Sequence, residues 1–273
     1  MLSKTEILRC WGKLPSKSNR HTDTMKIALL TTIWGRQKIS GPVLEHYGSM
    51  SPDGVQLMRH AVCSKEEDAE WVRKSGDWTV HYHPNEPLNE KHTFGVKALR
   101  SYDFDAVCIV NSDDLITPEY FSLACFLFEQ EGIEMLRILT YVMMEVNTGR
   151  CSYVPEAYPG SGIVLSREVV ERLDWRPWKG TAINRMLDSR MMENIDEIEV
   201  EAKSLLPSPT SAVQLCALKS ENNIWKYDEH IEACGGESKE LMGGKYMNHH
   251  FPEVANSIHL PDYAHEPDKS WKR

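Results

Sequence analysis

The chain has 273 residues, of which 41% are hydrophobic, and its formal net charge at pH 7 is −9. This composition is enough for a sizeable core, and the negative charge argues against general affinity for nucleic acid or for an anionic membrane surface. No apolar stretch approaches the length of a membrane-spanning helix. Residues 1–24 lack the apolar segment of a secretory signal, and we expect them to be a polar extension of a cytoplasmic protein.

Apolar segments of strand length alternate with helical patterns from Met25 onward. Five buried strands are predicted, over residues 25–34, 55–63, 78–83, 106–110 and 135–146. Helices are predicted between them, over residues 42–47, 64–76, 89–102 and 117–132. This alternation predicts an α/β fold with a mostly parallel central sheet and helices on both faces.

Two helix starts carry local signals. Ser64 with Glu67 three residues later reads as a capping box. Thr117, Pro118 and Glu119 read as an N-cap, a proline in the first turn and an acidic first turn. The seven cysteines are scattered without a CxxC pair, which is typical of buried thiols in a reducing compartment.

The C-terminal part of the sequence is less regular. Residues 158–175 read as a turn of small residues, a strand and a helix, and residues 212–227 read as a late strand. The glycine-rich stretch 235–245 reads as a flexible loop, and residues 241–248 within and after it as a mobile lid.

The stretch Asn111-Ser112-Asp113-Asp114 follows the fourth predicted strand and places two carboxylates side by side. Ligands of open α/β sheets bind outside the carboxyl ends of the strands. That rule brings this stretch together with the segments after the first and third strands, TTIWGRQ and HPNEPLNEKHTFG. Adjacent carboxylates at such an edge suit Mg²⁺ or Mn²⁺ bridging a diphosphate, and a solvated acidic turn is the alternative.

Two nucleotide-binding motifs are absent from the sequence. No G-x-x-x-x-G-K-[ST] occurs, which argues against a P-loop, and the first strand is followed by TTIWGRQK rather than G-x-G-x-x-G. A dinucleotide site is therefore not expected.

Three features in order resemble the nucleotide-sugar half of GT-A glycosyltransferases of the family-2-like, D-x-D type. They are the strand ending in TTIWGR, the pattern N-x-x-L-N-x-K-x-x-x-G at 85–95, and the strand ending in NSDD. Asn111 stands where the first aspartate of D-x-D usually lies, so Asp113 matches the metal-binding position. The resemblance covers residues 25–165 as the nucleotide-sugar half, with residues 166–273 as the acceptor half and lid of the same domain.

The resemblance implies a role for each candidate residue, and we group the residues by that role. The donor would be bound by Thr31, Thr32, Trp34, Lys91, Asn111, Gly160, Gly162 and Lys219. The metal, Mn²⁺ or Mg²⁺, would be held by Asp113, Asp114, His249 and His250, with His259 as an alternative. Asp188 would be the base that activates the acceptor. Trp175 and Trp178 would either stack on an acceptor sugar or pack in the core.

These roles imply a metal-dependent hexosyltransferase that moves a sugar from a nucleoside-diphosphate sugar, expected to be UDP-linked, to a hydroxyl acceptor, expected to be a glycan. Two alternatives share the same fold. One is a nucleotidyltransferase acting on a sugar phosphate, although no G-x-G-T-R-like loop follows the first strand. The other is a non-catalytic module that binds nucleotide or carbohydrate, which the Asn111 departure from D-x-D favours.

Overall fold

The structure, a computed structural model, describes residues 6–8, 24–155, 159–180, 187–220, 227–233 and 238–258. Within them the strands are β1 (Glu6–Leu8), β2 (Met25–Ile33), β3 (Val55–Cys63), β4 (Trp78–Tyr82), β5 (Ala106–Ile109), β6 (Asp114–Ile116), β7 (Met135–Ile138), β8 (Tyr141–Glu145), β9 (Arg150–Val154), β10 (Ile163–Ser166), β11 (Ala202–Leu205), β12 (Leu215–Lys219) and β13 (Lys239–Met242).

The helices lie between and after these strands. They are α1 (Gln37–Ser49), α2 (Glu66–Lys74), α3 (Leu88–Ala98) with a 3-10 turn at Leu99–Ser101, α4 (Pro118–Glu131), α5 (Arg167–Arg172), α6 (Leu187–Asp196), α7 (Tyr227–Ala233), α8 (Gly243–His250) and α9 (Pro252–Ser257). None of these described helices is both long and apolar enough to cross a bilayer.

The larger sheet has the strand order β1-β11-β7-β10-β5-β2-β3-β4. Its neighbours pair in parallel except at β10, which runs antiparallel to both β5 and β7. A smaller sheet has the order β13-β9-β8-β12-β6. The predicted α/β class with a mostly parallel central sheet is therefore confirmed.

The strand β2 shows why its sequence is apolar without alternation. Ile27, Leu29 and Ile33 contribute to one hydrophobic cluster, while Ala28 and Leu30 contribute to the other. Successive side chains of a strand point to opposite faces, so helices covering both faces demand apolar residues at every position.

Several local expectations agree with the structure. Thr117 is the N-cap of α4 and Pro118 stands in its first turn. The cysteines described by the structure are free, buried thiols: Cys63, Cys108, Cys125, Cys151 and Cys216.

The predicted fifth strand, 135–146, is wrong as a single element. Met135–Ile138 belongs to the larger sheet as β7, and Tyr141–Glu145 belongs to the smaller sheet as β8. Thr140 marks the crossing and donates its hydroxyl to the carbonyl of Pro207 at 3.1 Å. Both segments are buried, so the apolar sequence carries no sign of the change of sheet.

The capping box at Ser64 is also wrong. The helix α2 begins at Glu66 after Lys65, and no side chain caps it. The Ser64 hydroxyl instead accepts a hydrogen bond from the Lys91 ammonium at 2.8 Å. An ammonium is a stronger donor than a backbone amide, which explains the different partner.

The flexible loop is wrong over the described residues 239–245, while the mobile lid stays a prediction. Lys239–Met242 forms β13, which pairs with β9, and α8 follows it. Gly243 lies so close to the Gly149 carbonyl that a Cβ at this position would overlap it. Gly243 therefore serves close packing here, and residues 235–237 lie outside the described part.

The first testable prediction concerns Gly95 in α3. A Cβ at this position would lie 2.8 Å from Val62 Cγ2 and 3.1 Å from Leu30 Cδ1, both in the core. We expect Gly95→Ala to destabilise the protein by about 1–3 kcal/mol through overpacking, which outweighs the gain of ~0.5–1 kcal/mol for alanine in a helix. Denaturant unfolding measures the difference.

A double-mutant cycle provides the control. Val62→Ala removes the nearest methyl group, so Gly95→Ala should cost less stability in that background than in the wild type. If Gly95→Ala instead stabilised the otherwise wild-type protein, α3 would not pack against β2 and β3 as described.

Candidate functional site

The carboxyl ends of β2, β3 and β4 are tied together by the buried ammonium of Lys91. Its Nζ donates to the Ile33 carbonyl at 2.5 Å, to Ser64 Oγ at 2.8 Å and to Asn85 Oδ1 at 3.2 Å. These acceptors follow or end the three strands, and an ammonium has three protons to donate. Burial lowers the pKa of Lys91 to about 8. Lys91 therefore holds the loops in place rather than facing an open cleft.

A second cation, Arg36, joins the turn after β2 to the acidic end of β5. Its guanidinium donates to Ser112 Oγ at 2.9 Å and lies 3.5 Å from Asp113 Oδ2. The structure thus contains the predicted convergence at one edge of the sheet. It brings together the segments TTIWGRQ, HPNEPLNEKHTFG and NSDD.

Asp113 lies between two cations. The Lys219 Nζ is 3.9 Å from the same Asp113 oxygen that faces Arg36. The pairing is fixed by the backbone, because the Leu218 amide donates to the Asp113 carbonyl at 2.8 Å. The strand β12 therefore places Lys219 beside the acidic strand end.

Asp114 occupies a different environment from Asp113. It is fully enclosed, and its carboxylate accepts hydrogen bonds from Asn111 Nδ2 at 2.8 Å and from Ser161. Burial, followed by the neighbouring Asp113 charge, raises the pKa of Asp114 to about 6. The two adjacent carboxylates are thus separated in role: Asp113 faces the cations, and Asp114 supports the turn.

The donor set does not fit a divalent cation in this arrangement. Asp113 is shared by two positive side chains, and Asn111 already donates to Asp114. Across the part of the chain that the structure describes, no three carboxylate, imidazole or thiol side chains are grouped to hold a metal ion. Metal dependence stays a prediction from the sequence.

The two C-terminal histidines do not join the aspartates. His250 Nε2 lies 3.0 Å from the Pro209 carbonyl, and burial lowers the pKa of His250 to about 4. His249 is exposed at the end of α8 and stacks edge-on against His250. Among the described residues neither histidine forms a group of three possible metal ligands with the aspartates. Their role at a metal stays a prediction from the sequence, and His259 lies outside the described residues.

A cavity of about 200 Å³ lies between β7, the start of β10 and α6. Its walls include Arg137, Ile138, Pro159, Ile163, Asp188 and Met192. Ser161 lies in the chain between the lining residues Pro159 and Ile163, and it bonds Asp114 and accepts the Asn111 amide at the acidic strand end.

Asp188 and Gly160, both predicted site residues, meet at this cavity. A Cβ built on Gly160 would overlap the Asp188 carboxylate. The carboxylate is crowded by protein atoms although the residue keeps contact with solvent, and burial raises its pKa. The absent side chain of Gly160 therefore makes room for Asp188, where the sequence led us to expect a donor sugar.

Gly162 also has a structural role. Its φ of 72° is left-handed, its amide donates to the Ile109 carbonyl at 2.8 Å, and its carbonyl accepts from Tyr120 at 2.5 Å. Trp175 and Trp178 are buried in the core, which settles their two readings in favour of packing.

The predicted nucleoside residues lie at the end of β2. Thr31 is buried with a hydroxyl that has no hydrogen-bond partner among the described residues. Thr32 Oγ1 lies 3.4 Å from His92 Nε2. Trp34 is 56% exposed, so its ring is available for stacking.

Three functional candidates were missed by sequence reasoning: Arg36, Asp68 and Ser161. Asp68 is buried, accepts the Gly35 amide at 3.1 Å and keeps Oδ2 without a partner in the described structure. The helical period gave a usable signal, because Asp68 shares the buried face of α2 with Ala69 and Val72. Arg36 stood in the quoted TTIWGR segment without a role.

Comparison with known proteins identifies the fold. No sequence family matches the chain, and no curated protein matches it in sequence. Among solved structures, it is similar to Staphylococcus aureus TarS, a GT-A glycosyltransferase, at a TM-score of 0.50 and 14% identity, covering 78% of this chain and 39% of TarS.

Two structures of TarS residues 1–349 are also similar. One gives a TM-score of 0.51 at 11% identity and the other, a complex with UDP-GlcNAc, gives 0.50 at 12%. Each match spans 85% of this chain. It spans 68% of the first TarS structure and 69% of the second. The full TarS chain is thus much longer than the part this chain matches, and the described residues have a GT-A-like fold.

Proposed function

We propose that the protein is a glycosyltransferase that moves a hexose from a nucleoside-diphosphate sugar to a hydroxyl acceptor. The observation that carries this proposal is the pairing of a cation-flanked acidic strand end with an adjacent cavity containing Asp188. The two cations at the strand end suit the binding of a diphosphate. The Asp188 carboxylate in the cavity suits the activation of a hydroxyl acceptor. The crystallised complex of TarS with UDP-GlcNAc supports testing UDP-linked donors first.

The nucleoside would lie across the ends of β2 and β3. Asp68 Oδ2, Asn89 Oδ1 and Thr31 Oγ1 are buried oxygens without hydrogen-bond partners in the described residues. Buried polar atoms are normally satisfied, and the N–H groups of a nucleobase are suitable donors. The exposed ring of Trp34 would stack on the base or on the sugar.

The chemistry follows from the charges. The acceptor hydroxyl gives its proton to Asp188 as its oxygen bonds the anomeric carbon, and the bond to the diphosphate oxygen breaks with its electron pair. The leaving nucleoside diphosphate gains negative charge, which Lys219 stabilises from the rigid strand β12. Asp188 suits the role of base because its raised pKa strengthens its hold on the proton.

The direct test is a panel of nucleotide sugars, with release of the nucleoside diphosphate as the readout. Release of UDP that depends on an acceptor supports the proposal. Release of pyrophosphate from a nucleoside triphosphate would replace it with a nucleotidyltransferase, and binding without turnover would replace it with a non-catalytic module.

Asp188→Asn is expected to lower transfer by about 10²-fold or more, as for loss of a general base, while affinity for UDP stays near the wild-type value. The carboxylate acts only when deprotonated, so wild-type kcat/KM should fall as the pH drops through the raised pKa of Asp188. That acid limb should vanish in the variant. Steady-state kinetics across pH measures both effects.

Asp196→Asn is the matched control, since it removes the same charge from the exposed end of α6. It should leave transfer and its pH profile unchanged. Wild-type turnover by Asp188→Asn would remove this residue from the mechanism.

Gly160→Ala tests the position of the Asp188 carboxylate. The new Cβ meets only the end of a side chain, so Asp188 can rotate away at little cost in stability. We expect a loss of transfer with an unchanged melting temperature. Adding Asp188→Asn should cause little further loss, because both changes remove the same interaction. Additive losses in the double variant would contradict this geometry.

A further inference from the structure

Arg36 is held in an unfavourable backbone conformation. It has φ 56° and ψ 35°, which is left-handed, and it follows Gly35 at φ 60°. Residues with a Cβ adopt this region at a cost in free energy, and such strain is often retained where function requires it. The strained turn aims the guanidinium at the acidic strand end.

The Arg36 guanidinium lies where it can contact an anion that binds beside Ser112 and Asp113. It donates to Ser112 at 2.9 Å and approaches Asp113 at 3.5 Å, with a side chain that is 26% exposed. Lys219 approaches the same Asp113 oxygen at 3.9 Å. Two positive side chains thus converge on one Asp113 oxygen in a protein whose net charge is −9.

We propose that Arg36 and Lys219 together bind the diphosphate of the donor, and that this binding needs no divalent cation. The inference rests on the proposed function. It adds Arg36 as a donor-binding residue and predicts that donor binding does not depend on a metal ion. Arginine binds phosphate oxygens through a planar fork, and lysine acts as a point charge. In the free protein both cations lie near Asp113, and the phosphate oxygens of an incoming diphosphate would accept hydrogen bonds from their remaining N–H groups.

The donor set supports the same conclusion. A divalent cation beside Asp113 would lie close to two positive side chains and be repelled by both. Asp114 is enclosed by Asn111 and Ser161 and gives no second open carboxylate. The charge that a metal ion carries in D-x-D enzymes is therefore supplied here by side chains.

The experiment compares three ligands by calorimetric titration of the full chain: UDP, uridine and inorganic pyrophosphate, each in EDTA and in Mn²⁺. Wild-type affinity for UDP should differ by less than about 3-fold between EDTA and Mn²⁺. Arg36→Gln should weaken UDP and pyrophosphate by about 10- to 100-fold, the range for loss of one charge-assisted hydrogen bond, and leave uridine unchanged. A purely structural role would weaken uridine equally.

Two further variants complete the design. Arg36→Gly removes the guanidinium while favouring the left-handed turn, so its melting temperature should equal or exceed that of the wild type. Lys38→Gln removes the same charge from an exposed position two residues away and should change no affinity.

The outcomes separate the two proposals. Loss of UDP binding in EDTA, unchanged UDP affinity in both Arg36 variants, or equal weakening of uridine and UDP would each overturn this inference and leave the glycosyltransferase proposal standing. Failure of the wild-type protein to bind any of a panel of nucleoside diphosphates, with or without Mn²⁺, would overturn both.

Discussion

The ammonium of Lys91 is the interaction on which the shape of the site depends. Parallel strands end at one edge of a sheet, but their loops have no reason to stay together unless something joins them. Lys91 joins three of them through the Ile33 carbonyl, Ser64 and Asn85. A charge buried this deeply is tolerated because every proton has an acceptor. Its lowered pKa shows that burial still opposes the charged form.

The second cation, Arg36, extends the same principle to the fourth strand end. Lys91 lies within the protein and fixes loops to each other. Arg36 is partly exposed at the edge of the sheet and contacts Ser112 and Asp113. One cation therefore serves structure, and the other lies at the proposed donor-binding edge. The difference follows from exposure, since the side chain of Arg36 keeps contact with solvent and Lys91 has none.

Much of the fold was predictable because its signals are local. Buried strands, Pro118 in the first turn of α4 and the order of strands and helices all follow from residues near one another in sequence. The change of sheet inside 135–146 was not predictable, because both halves are mostly buried and apolar. Ser64 was misread because its partner, Lys91, lies 27 residues away.

The candidate site divides in the same manner. The convergence of three segments followed from strand polarity, and Asp113, Asp114, Gly160 and Asp188 lie around that edge. Sequence could not say that Asp113 would face two cations while Asp114 faced Asn111, since both contacts depend on the position of other chain segments. His249 and His250 were assigned from the family resemblance, and nothing in the sequence fixed where α8 packs.

The two walls of the cavity belong to different elements, and this affects how substitutions can change its shape. One wall, with Ile138 and Ile163, belongs to strands of the larger sheet, and the opposite wall, with Asp188 and Met192, belongs to α6. Substitutions in the first wall disturb the packing of the sheet and its core. Substitutions on the helix reshape the cavity at far lower cost. The shape of the cavity is therefore expected to vary through α6, while the sheet wall stays constant.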